Sequence, residues 1–178
     1  MNRPAARTSR MQQISLVVLR TAIGWHFLYE GYVKLVSPAW RRSGAPLEPF
    51  SSAGYLQGAS GPFGDVFRWL ARPEWLPWID GAVAVALVAA GLMLMLGLLT
   101  QLGCAVAALL LTVFYLSAIP LTGVPVPRAE GTYLLVNKNL VELFAVLVLM
   151  AFRTGRIAGL DLLLRRRTAS LPPAAPGL

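Results

Sequence analysis

Four stretches of the chain alternate little between apolar and polar positions and instead stay apolar for many residues. They run from about Gln13 to Val36, Ile79 to Leu99, Leu102 to Ile119 and Lys138 to Phe152. A ~30 Å hydrocarbon layer takes about 20 residues of helix to cross, so these stretches predict four transmembrane helices. The fourth is short unless its polar start, Leu134 to Asn139, is helical as well. Pro120 ends the third, because the residue before a proline is pushed out of helical geometry. Gly97, with Thr100 and Gln101, punctuates a tight turn between the second and third.

The segment from Ser37 to Trp78 is too long for a plain connection. Within it Ser51 to Gln57 and Pro62 to Ala71 read as short helices. Pro62 suits a first helical position, and Phe63, Phe67 and Leu70 fall on one side at spacings of four and three. Trp40, Trp69, Trp75 and Trp78 cluster here, and such amphipathic rings prefer the headgroup level of a bilayer. The segment reads as an interfacial cap over the outer mouth of a bundle, although Trp40 and Trp78 suit simple span anchors equally well. The expected architecture is therefore all-α, an integral membrane four-helix bundle with an amphipathic helical loop between helices 1 and 2. Residues 1–12 form a tail, 13–161 the membrane domain including the loop 37–78, and 162–178 a basic, then Pro/Ala-rich tail that is disordered from Thr168.

Composition agrees with that pattern. The 178 residues are 56% hydrophobic and only 13% charged, about half the charged share of a soluble domain. The net charge of +8 would suit a nucleic-acid partner, but the apolar runs exclude one and give the basic residues another use. Arg3, Arg7 and Arg10 lie in the N-terminal tail, and Arg153, Arg156, Arg165, Arg166 and Arg167 in the C-terminal flank. The longer loops dilute their arginines with Glu48, Asp65, Glu74 and Glu130. The positive-inside rule then places both tails in the cytoplasm. A removable signal peptide is not expected, since Arg20, His26, Glu30 and Lys34 interrupt the first apolar core and no small-x-small cleavage site follows.

One cysteine, Cys104, and one histidine, His26, limit the chemistry further. A thiol relay or thiolate metal site needs at least two cysteines, and bis-histidine haem ligation needs two histidines. No metal or haem is expected in the single chain.

The remaining charges are the informative ones. At about 100° per residue, with His26 at zero, Glu30 falls at about 40°, Lys34 at about 80° and Arg20 at about 120°, so all share one face. Ionisable groups inside a bilayer normally face the bundle interior and pair. Glu30 and Lys34 are i and i+4 with the acid first, the favourable order. Gly24 and Gly31 border the face and permit a close neighbour. In the fourth helix Lys138 and Glu142 are again four apart, with Asn139 beside them. Glu30 lies ~9 Å and Glu142 ~6 Å inward from the outer ends of their helices, so the two sets are level, and Asp80, Tyr115 and Ser117 join them. Such a cluster is either an ion-pair network that fixes helix register or the wall of a functional pocket. Arg20 stands apart in the inner half, ~9 Å from the cytoplasmic end, and is expected to snorkel to the headgroups.

At these residues the sequence resembles the DoxX family of small four-helix membrane proteins, in the branch near the membrane subunit of thiosulfate:quinone oxidoreductase. The likeness is carried by LRTAIGWHFLYEGYVKL (Leu19 to Leu35), SAGYLQGASGPFGDVFRWL (Ser52 to Leu70), GLLT (Gly97 to Thr100), NKNLVEL (Asn137 to Leu143) and TGRIAGLD (Thr154 to Asp161). Arg20, Gly24, Gly31, Lys34, Asn137, Lys138, Asn139 and Glu142 match the family pattern. The resemblance implies a bacterial cytoplasmic membrane and electron exchange with a diffusible quinone, in company with a periplasmic or membrane partner. In that reading His26, Glu30 and Glu142 handle protons, while Lys34, Lys138, Asn139, Trp25 and Tyr29 bind the substrate. The lipid bilayer is a further partner, and a homo-oligomer is compatible with the sequence. Two alternatives stand beside it: a non-catalytic anchor or assembly subunit for a periplasmic enzyme, and a small transporter. The transporter has neither an inverted repeat nor a broken helix to support it.

Overall fold

The computed structural model describes residues 8–40, 50–59, 62–119 and 135–169, with the side chains of 37–40 and 165–169 left aside. Among the described residues all regular structure is helical: α1 (Arg10–Trp40), α2 (Ala53–Gln57), α3 (Gly64–Leu70), α4 (Leu76–Leu96), α5 (Thr100–Ser117), α6 (Lys138–Ala151) and α7 (Leu160–Ala169), with a 3-10 turn at Thr154–Arg156. The four long helices form a ring in the order α1, α4, α5, α6.

The closest approach is between α1 and α4, and small residues make it. A Cβ placed on Gly91 would lie 2.5 Å from the Leu28 nitrogen, and one on Gly31 2.7 Å from the Val88 nitrogen. Gly24 meets Met95 in the same way. Backbones this close gain dispersion contacts without any help from water exclusion, the arrangement favoured in lipid. Inside the ring Phe27, Leu94, Cys104, Val146 and Leu149 are fully buried. A smaller apolar core of Leu56, Ala59, Phe67 and Ala71 ties α2 and α3 to Ile79 and Leu116, at one end of α4 and α5.

Two helices, α4 and α5, are long and apolar enough to cross a membrane. The other two expected spans differ for physical reasons. α1 is 31 residues long but carries Arg20, Glu30 and Lys34 on its length. α6 has 14 residues, ~21 Å at 1.5 Å per residue, which is shorter than a hydrocarbon layer. Of its polar start only Lys138 and Asn139 are helical; residues 135–137 are not, and 134 lies outside the described residues. Asn137 stands at the N-cap in extended geometry, and its side chain accepts from the Leu140 N–H at 3.0 Å, closing the helix off at Lys138.

Other boundaries moved by a few residues. The turn between α4 and α5 is Gly97 to Leu99, with Gly97 at φ 62° and Leu99 at φ 49°, so Thr100 and Gln101 belong to the first turn of α5 and not to the connection. α3 begins after Phe63, not at Pro62. Phe63 is exposed, while Phe67 is buried and Leu70 half-buried beneath the cap. The basic segment read as tail continues as helix α7 through Ala169; residues 170–178, and Pro120, lie outside the described residues.

Candidate functional site

A cavity of about 320 Å³ lies inside the ring at the α2–α3 end. α2 and α3 close its outer side with Tyr55, Leu56, Phe67 and Leu70, and Phe27, Leu87, Leu111 and Phe114 supply its apolar depth. One wall is polar and is formed by His26, Glu30 and Lys34 of α1 with Lys138, Asn139 and Glu142 of α6. The volume is at the small end of the range for ligand pockets, and a few convergent polar groups in an apolar lining is their usual composition.

The polar wall is held by contacts that join distant parts of the chain. His26 Nδ1 and Glu142 Oε1 are 2.7 Å apart across 116 residues of sequence. A carboxylate only accepts, so with Glu142 ionised the shared hydrogen sits on Nδ1. Lys34 Nζ is 3.3 Å from Glu30 Oε2, the i,i+4 pair expected from spacing, and Lys34 also stands 4.3 Å from the centre of the Phe50 ring. The expected Lys138 to Glu142 pair along α6 does not form, because Glu142 turns across to α1. Asp80 does not enter the cavity either. Its carboxylate accepts from the Ser52 N–H at 2.9 Å and from the Ser52 hydroxyl, and so fastens the start of α2 to α4. Ser117 lines the cavity, with its hydroxyl donating to the Phe114 carbonyl at 2.9 Å. Tyr115 instead donates to the Leu135 carbonyl at 3.0 Å and stays outside.

Trp25 and Tyr29 are placed apart from this cluster. They stack on each other with ring centres 6.3 Å apart and are 58% and 56% exposed. Helical geometry explains it: at about 100° per residue they fall on the opposite side of His26 from Glu30, Lys34 and Phe27. Phe27 is the aromatic that faces inward. Phe50 and Ser52 also line the cavity; their only sequence signal is membership of the loop read as a cap.

A second polar cluster occupies the other end of the ring, and here the expectation for Arg20 is corrected. Arg20 is 2% exposed and does not snorkel. Its Nη1 donates to the carbonyls of Thr154 at 3.1 Å and Ala158 at 2.7 Å. Thr154 opens the 3-10 turn, and its carbonyl already accepts from the Ile157 and Ala158 N–H groups at 3.0 and 3.4 Å, so Arg20 adds a charged donor there and also reaches the Ala158 carbonyl, which lies outside the helices. Asp161 caps α5 by accepting from the Leu99 N–H at 2.7 Å and the Thr100 N–H at 2.9 Å. Its own N–H donates to the Gly97 carbonyl at 2.8 Å. Gly159, at φ 128°, packs on Gly97 so closely that a Cβ on either would lie 2.8 Å from the other's Cα. Partial burial works against the Asp161 carboxylate, but the Thr100 and Leu99 hydrogen bonds and the Arg20 charge outweigh it, and the group ionises below its ordinary range.

No group of three or more His, Cys, Asp or Glu side chains able to hold a metal ion occurs among the described residues. No protein-family model, curated protein or solved structure matches the chain.

Proposed function

We propose that the protein is the membrane subunit of a quinone-linked oxidoreductase, related to the DoxX proteins it resembles, and that the 320 Å³ cavity receives the quinone ring. It sits in the bacterial cytoplasmic membrane with both termini inside and the α2–α3 cap outside, as the placement of its arginines favours. The observation that carries the reading is the junction of His26 and Glu142, 2.7 Å apart in the polar wall of a chamber whose depth is apolar.

A quinone ring presents two carbonyl oxygens, and its reduction to the quinol takes up two electrons and two protons. The residues present fit that ring. Phe27, Leu87 and Phe114 offer apolar faces, while Lys34, Lys138 and Asn139 offer donors for the oxygens. His26 is suited to pass a proton inward and recover one, since imidazole both accepts and donates, and Glu142 holds its orientation and balances its charge. Glu30 steadies Lys34 and supplies a second carboxylate within the wall. The electrons come from a redox protein docked at the outer face or from a small reductant bound there.

The test is quinone reduction by the complex purified from its native membrane, assayed with short-tailed ubiquinone and menaquinone analogues. Glu142→Gln and Glu30→Gln are expected to slow turnover at least tenfold while leaving the protein folded. Unchanged turnover in both rejects this assignment of the site.

One observation favours a second reading, a non-catalytic anchor for a periplasmic enzyme. Trp69 and Trp75 contact each other at 5.6 Å on the cap and are 44% and 47% exposed, a surface suited to docking a protein. That reading expects loss of a co-purifying partner in Trp69→Ala, with Glu142→Gln silent.

A further inference from the structure

We infer that the cavity takes only the headgroup of a lipid-tailed quinone, and that the tail leaves sideways between α1 and α6, past the His26 and Glu142 pair. The inference rests on the quinone reading above and adds to it the substrate class, a quinone with an isoprenoid tail, and its route of access.

Size is the first argument. A chamber of about 320 Å³ holds one substituted ring and has no room beside it for a chain of several five-carbon units. A tail must therefore pass out through a wall, and every methylene kept in lipid is favoured over one exposed to water.

Two walls are closed among the described residues. α1 and α4 meet backbone to backbone at Gly24, Gly31 and Gly91. On the outer side Leu56 and Phe67 are buried where α2 and α3 pack over the ends of α4 and α5. Of the four neighbouring pairs in the ring, α1 and α6 touch least. α6 is also short, 14 residues against the 31 of α1, so it covers less than half of its neighbour's length.

What crosses that seam at cavity level is a polar contact rather than a packed one. The His26 side chain is 33% exposed and the Glu142 side chain 12% exposed, and both line the cavity, so the pair stands in the wall itself and is only partly covered by packing. A hydrogen-bonded pair parts and closes again without disturbing apolar packing. The helices on either side carry outward apolar side chains: Trp25 and Tyr29 on α1, Val141 and Phe144 on α6, all more than half exposed. These are surfaces along which an isoprenoid chain lies as readily as a lipid tail.

Photolabelling tests the route. A ubiquinone analogue bearing a diazirine midway along its tail is irradiated with the complex in lipid nanodiscs, and the labelled peptides are mapped, with and without excess tail-less 2,3-dimethoxy-5-methyl-1,4-benzoquinone. The expected label falls on α1 between residues 25 and 33 and on α6 between 139 and 148, and the tail-less quinone abolishes it. Competable label on the cap between residues 50 and 71 overturns the lateral route while leaving the quinone reading intact. Label that the tail-less quinone never displaces, with no binding of that quinone by fluorescence quenching, overturns both.

Discussion

The two ends of the ring are built from the same materials and differ in how tightly they are used. At the α7 end, the inner end in the proposed orientation, Arg20 is buried and bound to two backbone carbonyls, Gly97 and Gly159 touch, and Asp161 caps α5. At the α2–α3 end, the outer end in that orientation, Glu30 and Lys34 are only partly covered, His26 and Glu142 meet across the helix seam, and a cavity remains behind them. Buried charge holds register where every polar atom of the neighbouring backbone needs a partner. It lines a chamber where the charged groups satisfy one another and leave space. The fold thus holds two polar clusters of different kinds, one tied into the backbone around Arg20 and one that lines a cavity at His26, Glu30 and Glu142.

Substitutions that separate the ends should reveal that contrast, with the largest effect at Arg20. Arg20→Ala removes a buried cation, takes the side-chain donor from the Ala158 carbonyl and leaves the Thr154 carbonyl with its backbone donors alone. Losing hydrogen bonds from a charged donor and leaving a buried acceptor short costs about 1.5 to 3 kcal/mol, enough for the purified protein to unfold or aggregate well below the parent's melting temperature. A variant melting within about 2 °C of the parent, the change that under 1 kcal/mol produces at this size, would show that the inner end is not what holds the ring.

Asp161→Asn should have an intermediate effect, about 1 to 2 kcal/mol, through a weakened cap and the loss of negative charge at the N-terminus of α5. Its pH dependence has a definite sign. The carboxyl is held below its ordinary range in the folded protein, so its stabilisation is complete above the unfolded value near ~3.9 and fades as pH falls through the folded value. Melting curves of parent and variant should therefore lie apart at neutral pH and converge in acid below that value. A gap independent of pH would contradict the capping role of the charge.

The smallest change is expected from neutralising Glu30 and Lys34 together. Their side chains are 44% and 21% exposed, and an i,i+4 pair of this kind contributes about 0.3 to 0.5 kcal/mol. The double variant Glu30→Gln, Lys34→Met should melt with the parent while its quinone turnover falls. A large loss of stability would instead assign the outer cluster to the same structural work as the inner one.

Much of the outer site was legible in the chain because it follows from helical geometry. The shared face of His26, Glu30 and Lys34, the i,i+4 pairing, the level of Glu142 and the small residues between α1 and α4 are all consequences of 3.6 residues per turn. The same geometry separates Phe27 from Trp25 and Tyr29, which the sequence reading placed at the site on their aromatic character alone. The partners of Arg20 were not legible. They are backbone carbonyls 134 and 138 residues away, and a carbonyl carries no signature in sequence; with no acid nearby in the chain, solvent looks like the only partner available. Glu142 choosing His26 over Lys138 is a similar case, since a local pair can be counted from spacing and a cross-helix pair cannot.

By itself the sequence determined an all-helical chain with four long apolar segments, of which α4 and α5 are long and apolar enough to cross a membrane, a helical cap between the first two long helices, and a polar face on α1 turned toward α6. These depend on periodicity and on the cost of burying charge, both local properties. The tertiary structure decided which charges are locked and which line a space, because that depends on which backbone carbonyls lack partners and where α1 and α6 fail to close. Both are set by how the helices meet.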